Sequence, residues 1–229
     1  MKHKHISKLT LAATFCFFLS CSNIERDNPY DPEGVSYIGD KFSYGAVTYE
    51  GYIYPTIVIG TQTWMVKNLN YNASGSKCYD NKKSNCAIYG RLYDWATAMA
   101  LPDSCNSSSC SVGTNHQGIC PEGLHIPSYD EWITLINVIG SSSLAGRYLK
   151  ALTGWNSGGN GEDKYGFAAL PGGHGGFGGF VNVGNIGHWL SATGDTRSTF
   201  QCLNMWSNDA VDKAFFDKRS LFSVRCVQD

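Results

Sequence analysis

The side chains best suited to chemistry in this chain of 229 residues are its nine cysteines, and their settings differ. Cys21 closes an apolar run from Leu11 to Leu19, with Lys2, Lys4 and Lys8 in front of it and the small residue Ser20 between. A basic leader, a short apolar stretch and a small residue before a cysteine are the layout of a bacterial lipoprotein signal, whose cysteine carries the lipid after cleavage. Phe18 departs from that layout, where a small aliphatic residue is usual. An ordinary secretory signal, with Cys21 a spare thiol, is the alternative. The run is shorter than the about 20 apolar residues that a spanning helix needs, so cleavage is expected rather than a permanent span. On this reading residues 1–20 are signal peptide, 21–41 a lipid-anchored tether rich in Asn-Pro and Asp-Pro turns, and 42–229 the folded domain. The compartment is the bacterial envelope, at the outer membrane or cell surface.

An exported chain can keep disulfides. Cys78 and Cys86 flank the polar stretch from Tyr79 to Asn85, and Cys105 and Cys110 flank Asn106 to Ser109. Each pair reads as a staple across a short loop. Cys120, Cys202 and Cys226 remain, and spacing does not say which of them join. Their odd number leaves one free thiol or one intermolecular bond. Zinc is the competing use of these sulfurs. It is disfavoured because no Cys-x-x-Cys pair occurs and the six histidines do not stand near the cysteines in ligand spacing.

Other reactive constellations are weak. His116, His125, His174 and His188 are scattered, and no Gly-x-Ser-x-Gly elbow occurs. Gly172-Gly173-His174-Gly175-Gly176 lacks the Lys-Ser/Thr ending and the following helix of a phosphate loop. Trp206-Ser207-Asn208-Asp209 approaches a calcium-assisted sugar-binding motif, but Ser207 interrupts it and no second oxygen-ligand motif accompanies it. No metal and no cofactor is expected, and the domain reads as non-catalytic. A formal net charge of −1 gives no electrostatic case for nucleic acid.

What the composition does supply is aromatic surface: 13 Tyr, 11 Phe and 6 Trp, set among 26 Gly. Aromatic faces bind sugar rings by stacking, and amide side chains orient hydroxyls. Trp155, Phe177, Phe180 and His188 are the candidate ligand-binding residues. Trp189 and Trp206 fall in strand-like stretches and read as core.

The elements that must position these groups are legible in part. Residues 45–59 have β composition broken at Glu50-Gly51, which predicts a hairpin, followed by a short strand over 63–66. Leu92, Trp95 and Met99 predict a helix over 91–101, stopped by Pro102. Ser128 and Glu131 form a capping box opening a helix that Gly140 ends, with a second short helix through Leu149. Strand character returns at 189–193, 199–205 and 221–227; in the last, Phe222, Val224 and Cys226 share a face.

Several of these segments together resemble one family. They are Ile57 to Met65 with Asn68-Leu69, Tyr89 to Trp95, Gly118 to Ser128 with Glu131-Trp132, Ala169 to Gly173, Trp189 to Thr193, and Phe222 to Val227. In this order they resemble the Fibrobacter succinogenes major paralogous domain; Leu124 stands where that family usually carries Trp. That family is similar in turn to formylglycine-generating enzymes and C-type lectin-like domains. The resemblance implies an α+β fold with two helices, a small antiparallel sheet and long loops. It also implies a Cys120–Cys226 disulfide, leaving Cys202 as the odd thiol. The functional expectation is a surface-anchored, non-catalytic binding or adhesion module. Its partners would be the membrane, through the lipid, and a polysaccharide or another surface protein. The alternatives are an oxidase of the formylglycine-generating type using Cys202 and Cys226, or a purely structural envelope protein.

Overall fold

The computed structural model describes residues 42–228. The expected signal peptide, Cys21 and the expected tether through residue 41 lie outside the described residues.

The chain first lays down a meander: β1 (Gly45–Tyr49), β2 (Tyr52–Ile59) and β3 (Gln62–Met65). The β1–β2 turn is made by Glu50 and Gly51 alone, both at positive φ (50° and 79°). That is the two-residue turn whose twist matches a right-handed hairpin. Four α-helices follow with one short strand among them. These are α1 (Lys83–Tyr89), β4 (Leu92–Tyr93), α2 (Trp95–Ala98), α3 (Tyr129–Ile139) and α4 (Ser142–Leu149). The C-terminal part is β5 (His174–Gly176), β6 (Gly179–Val181), β7 (Gly187–Gly194), β8 (Thr199–Met205), β9 (Val211–Asp217), β10 (Phe222–Ser223) and β11 (Val227–Gln228).

These strands build three sheets, in the orders β1-β2-β3-β11, β4-β10-β7-β8-β9 and β5-β6. All pairings are antiparallel except β10 with β7. The expected fold of two helices with one small antiparallel sheet is therefore corrected: the described residues hold four α-helices and sheets of four, five and two strands. Of the two further helices, α1 has no signal in the sequence and α2 is shorter than its expected length. In α1 the polar residues Lys83, Ser84 and Asn85 carry no apolar period, and the Cys78–Cys86 bond pins the helix where hydrophobic burial does not. The helix expected over 91–101 shrinks to α2, because the Asp94 side chain caps it by accepting from Thr97 N at 2.8 Å. Leu92 and Tyr93, just before the cap, pair instead with Ser223 and Phe222.

Two hydrophobic cores result. One gathers Tyr93, Trp95, Phe200, Phe222 and the Cys120–Cys226 bond. The other gathers Trp64, Trp132, Phe167 and Trp189 between the first sheet and α3, with Trp64 and Trp132 ring centroids 4.4 Å apart. Burying such side chains contributes about 2–3 kcal/mol each.

The capping box of α3 is complete: Glu131 N donates to Ser128 Oγ (3.2 Å) and Ser128 N to Glu131 Oε2 (2.7 Å). A register shift in β7 between Leu190 and Gly194 frees residues 191–193 from the ladder with β8. They turn toward α3, where Ala192 N donates to Pro127 O and Tyr129 N to Thr193 Oγ1, both at 2.8 Å.

Candidate functional site

The segments that carry the family resemblance meet in a buried polar nucleus. Asn68 is its centre. Its Oδ1 accepts from Trp189 Nε1 (2.8 Å) and from Arg225 Nε (3.1 Å) and Nη2 (2.8 Å), while its Nδ2 donates to Tyr89 O (2.8 Å). Arg225 also donates through Nη1 to Phe167 O, and its guanidinium lies 4.3 Å over the Phe167 ring. Burial pushes its pKa down to about 9, opposed by the nearby Asp163, so the group stays charged at neutral pH. A second polar pair in the motif set, His125 with Glu131, is also internal. His125 Nε2 lies 2.6 Å from Glu131 Oε1. Burial alone would raise the Glu131 pKa, but the bonds from His125 and Ser128 outweigh it and hold it below the ordinary value. These motifs are the joints of the fold.

Beside the nucleus lies a cleft of about 890 Å3, with Arg225 and Asn68 at its base. This is within the range of ligand pockets. Its walls come from the β1–β2 hairpin, the segment after β3, α1 with its disulfide, and the 151–170 loops. Tyr44, Tyr52, Tyr54 and Tyr71 line it, with Asn70 and Asn72 between them and Arg91 and Lys83 on the α1 side. Tyr52 is half-exposed and Tyr71 partly so, its ring 5.3 Å from that of Tyr49. Tyr54 is sunk in the wall, where its hydroxyl accepts from Asn70 N at 3.1 Å. Burial pushes its pKa up to about 12, which keeps it a neutral phenol. The side-chain amides of Asn70 and Asn72 make no hydrogen bond among the described residues, so both are available to a ligand. Planar rings, amides and cations in one trough suit a polar ligand with flat apolar faces.

The structure does not bring the four sequence-named candidates together. Trp155 is buried (5% exposed), its indole donating to Ala169 O at 2.9 Å, with the Lys150 ammonium 5.0 Å over its ring. His188 is also buried, its Nδ1 2.7 Å from Asn204 Oδ1. Neither can offer a face to a ligand in solution, because each has internal partners that spacing in the sequence does not show. Phe180 is half-buried against Tyr79, and Phe177 is 88% exposed at the tip of the β5–β6 hairpin. Trp189 is core, whereas Trp206, read as core, is exposed. The cleft tyrosines carry one signal in the sequence: eight of the 13 tyrosines lie between Tyr44 and Tyr93.

Three disulfides are formed, Cys78–Cys86, Cys105–Cys110 and Cys120–Cys226, and Cys202 is free. Its thiol is fully buried beside Asn204 Oδ1 (3.1 Å), and burial pushes its pKa far up. With Cys226 bonded to Cys120, the pair on which oxidase chemistry would draw is one inert thiol and one disulfide. The loop that resembled a calcium motif is served by a lysine. Lys150 Nζ donates to the carbonyls of Trp206 (3.1 Å), Ser207 (3.3 Å) and Asn208 (2.7 Å). No group of three or more His, Cys, Asp or Glu arranged for a metal occurs among the described residues.

One titration follows from this interior. Burial lowers the His188 pKa from 6.5 to about 4, and the neighbouring His174 adds to the shift, so the folded state holds it neutral. The unfolded chain then binds the extra proton first. Stability is full above pH 6.5 and is expected to fall by about 3 kcal/mol as the pH drops toward 4. Urea titrations across that window measure the slope; His188→Phe should flatten it, and an unchanged slope would assign the titration elsewhere.

No curated protein and no solved structure matches this chain. The family described as the Fibrobacter succinogenes major domain matches residues 57–228, which include Asn68, His125, Glu131, Trp189 and Arg225. With the match running from β2 to β11 and covering the nucleus that joins the sheets, the chain belongs to the Fibrobacter succinogenes major domain family.

Proposed function

We propose that this protein is a lipid-anchored envelope module that binds polysaccharide in the tyrosine-lined cleft, without catalysis. The observation that carries the reading is the cleft itself, with half-exposed Tyr52 and partly exposed Tyr71 beside the amides of Asn70 and Asn72. Tyrosine suits this work. Its ring stacks on the apolar face of a sugar, and its hydroxyl and the neighbouring amides take the equatorial hydroxyls. Cys21 supplies the anchor in this reading, and the segment through residue 41 supplies the spacing from the membrane. A single lipid chain binds a membrane only marginally, so stable attachment implies more than one. No helix among the described residues is long and apolar enough to cross a membrane.

The test is retention of bacteria expressing the full chain on insoluble neutral polysaccharides such as cellulose, alongside binding of the purified chain to a glycan array. Tyr52→Ala and Tyr71→Ala should each weaken binding at least tenfold, about 1.4 kcal/mol. Cys21→Ala should leave binding intact and release the protein from the cells. Wild-type chain that is retained on no polysaccharide, or cleft variants that bind as well as wild type, would remove the proposal.

A further inference from the structure

A second cavity, of about 860 Å3, lies at the N-terminal end of α3, between the 109–116 loop and the end of β7. Lys218 forms part of its lining. The residue is 1% exposed, and its ammonium sits 4.1 Å over the ring of Trp95, which is itself fully buried. The lysine backbone is fixed at both ends: Lys218 N donates to Ser198 O (2.7 Å) and Lys218 O accepts from Trp95 N (2.9 Å). Yet Nζ makes no hydrogen bond and no ion pair among the described residues. An ammonium on a residue this enclosed, lining a cavity without an oxygen partner, is left for a ligand or solvent to serve. The contact with an aromatic face offsets only part of the cost of its enclosure.

Three further features converge on the same space. Gly194 lies against the ammonium, with Nζ 3.9 Å from where a Cβ would stand, so the absence of a side chain leaves the approach open. Arg197 stands exposed on the rim. The first turn of the eleven-residue α3 faces the cavity through Ser128 and Asp130. The Asp130 amide has no intrahelical acceptor there, and the helix end favours negative charge. The cavity also holds acids, which select among anions. Glu131 is spent on His125 and Ser128, and Asp195 accepts from the Thr199 hydroxyl (3.2 Å). With Asp130 they oppose a doubly charged group but leave room for a single charge on Lys218.

We propose that this cavity binds a monocarboxylate carried on a polyhydroxylated ring, a uronic acid, with the carboxylate on Lys218 and Arg197. The rim carboxylates of Asp130 and Asp195 accept from the ring hydroxyls, and the Thr196 hydroxyl can accept or donate. Burial lowers the Lys218 pKa, and a bound carboxylate would reverse that shift.

The experiment is calorimetric titration of the purified full chain with galacturonate, galactose and inorganic phosphate. Saturable binding of galacturonate is expected, with galactose and phosphate each at least tenfold weaker. Lys218→Met keeps an apolar chain on Trp95 and removes the charge; it should weaken galacturonate at least tenfold with the melting temperature held. If that variant does not fold, Arg197→Gln on the exposed rim carries the test, with at least a threefold loss expected. Tyr71→Ala should leave galacturonate affinity unchanged, which separates this site from the cleft. The proposal is overturned if galacturonate does not bind, if galactose binds as tightly, or if both charge variants bind as wild type does.

Discussion

Replacing Cys120 and Cys226 together with alanine is expected to lower the unfolding free energy by about 4–5 kcal/mol. The bond spans 106 residues, and on the chain-entropy model a loop of about 100 residues removes about 4.7 kcal/mol worth of freedom from the unfolded chain. The other two bonds span 8 and 5 residues, for which the same relation gives about 2–2.5 kcal/mol each. Geometry adds to the difference. Cys120 and Cys226 are buried in the first core, so alanine there also leaves a cavity. For a domain of this size the change corresponds to a melting temperature lower by about 10–20 °C. Equilibrium urea unfolding of the double variant, without reductant, measures it. A loss below about 2 kcal/mol would mean that the unfolded chain is already held compact by other means.

Arg225→Leu is expected to cost about 3–5 kcal/mol, the usual scale for breaking a buried charge network by removing one member. The loss has identifiable parts. Phe167 O loses its donor, Asn68 Oδ1 keeps only Trp189 of its three donors, and Asp163, 4% exposed, loses a nearby positive charge. Arg225→Lys should recover only part of this, because an ammonium cannot reach Asn68 and Phe167 at once as the planar fork does. Because Arg225 and Asn68 also form the base of the cleft, both variants should weaken polysaccharide binding along with stability. Chemical denaturation measures the first effect. An Arg225→Leu protein within about 1 kcal/mol of wild type would show that the nucleus is ornamental to the fold.

How much of this was readable in advance depends on how local each feature is. The capping box at Ser128 and Glu131 needs only four consecutive residues, and the Glu50-Gly51 turn only two, so both stand in the structure as the sequence predicts. The segment 221–227 is a harder case. Phe222, Val224 and Cys226 do face one core, yet the stretch divides between two sheets, β10 joining β4 and β7 while β11 joins β3. Periodicity records which face is apolar, not which neighbour a strand will find. Leu92 and Tyr93 fail as helix for the same reason, since their partners Ser223 and Phe222 come from the far end of the chain. The site was least visible. The cleft is assembled from five separated stretches, and its tyrosines acquire meaning only when the β1–β2 hairpin and the α1 disulfide loop face each other. Trp155 and His188 read as ligand faces in the sequence because an aromatic among glycines looks the same whether its neighbours are solvent or, as here, Lys150 and Asn204.

The closing strand has a temporal consequence. Val227 pairs with Trp64 and exchanges two backbone bonds with His125, while Cys226 is covalently joined to Cys120. Three stretches laid down early thus share contacts that only residues 226–228 complete. A nascent chain therefore cannot complete these native contacts until residues 226–228 have left the ribosome.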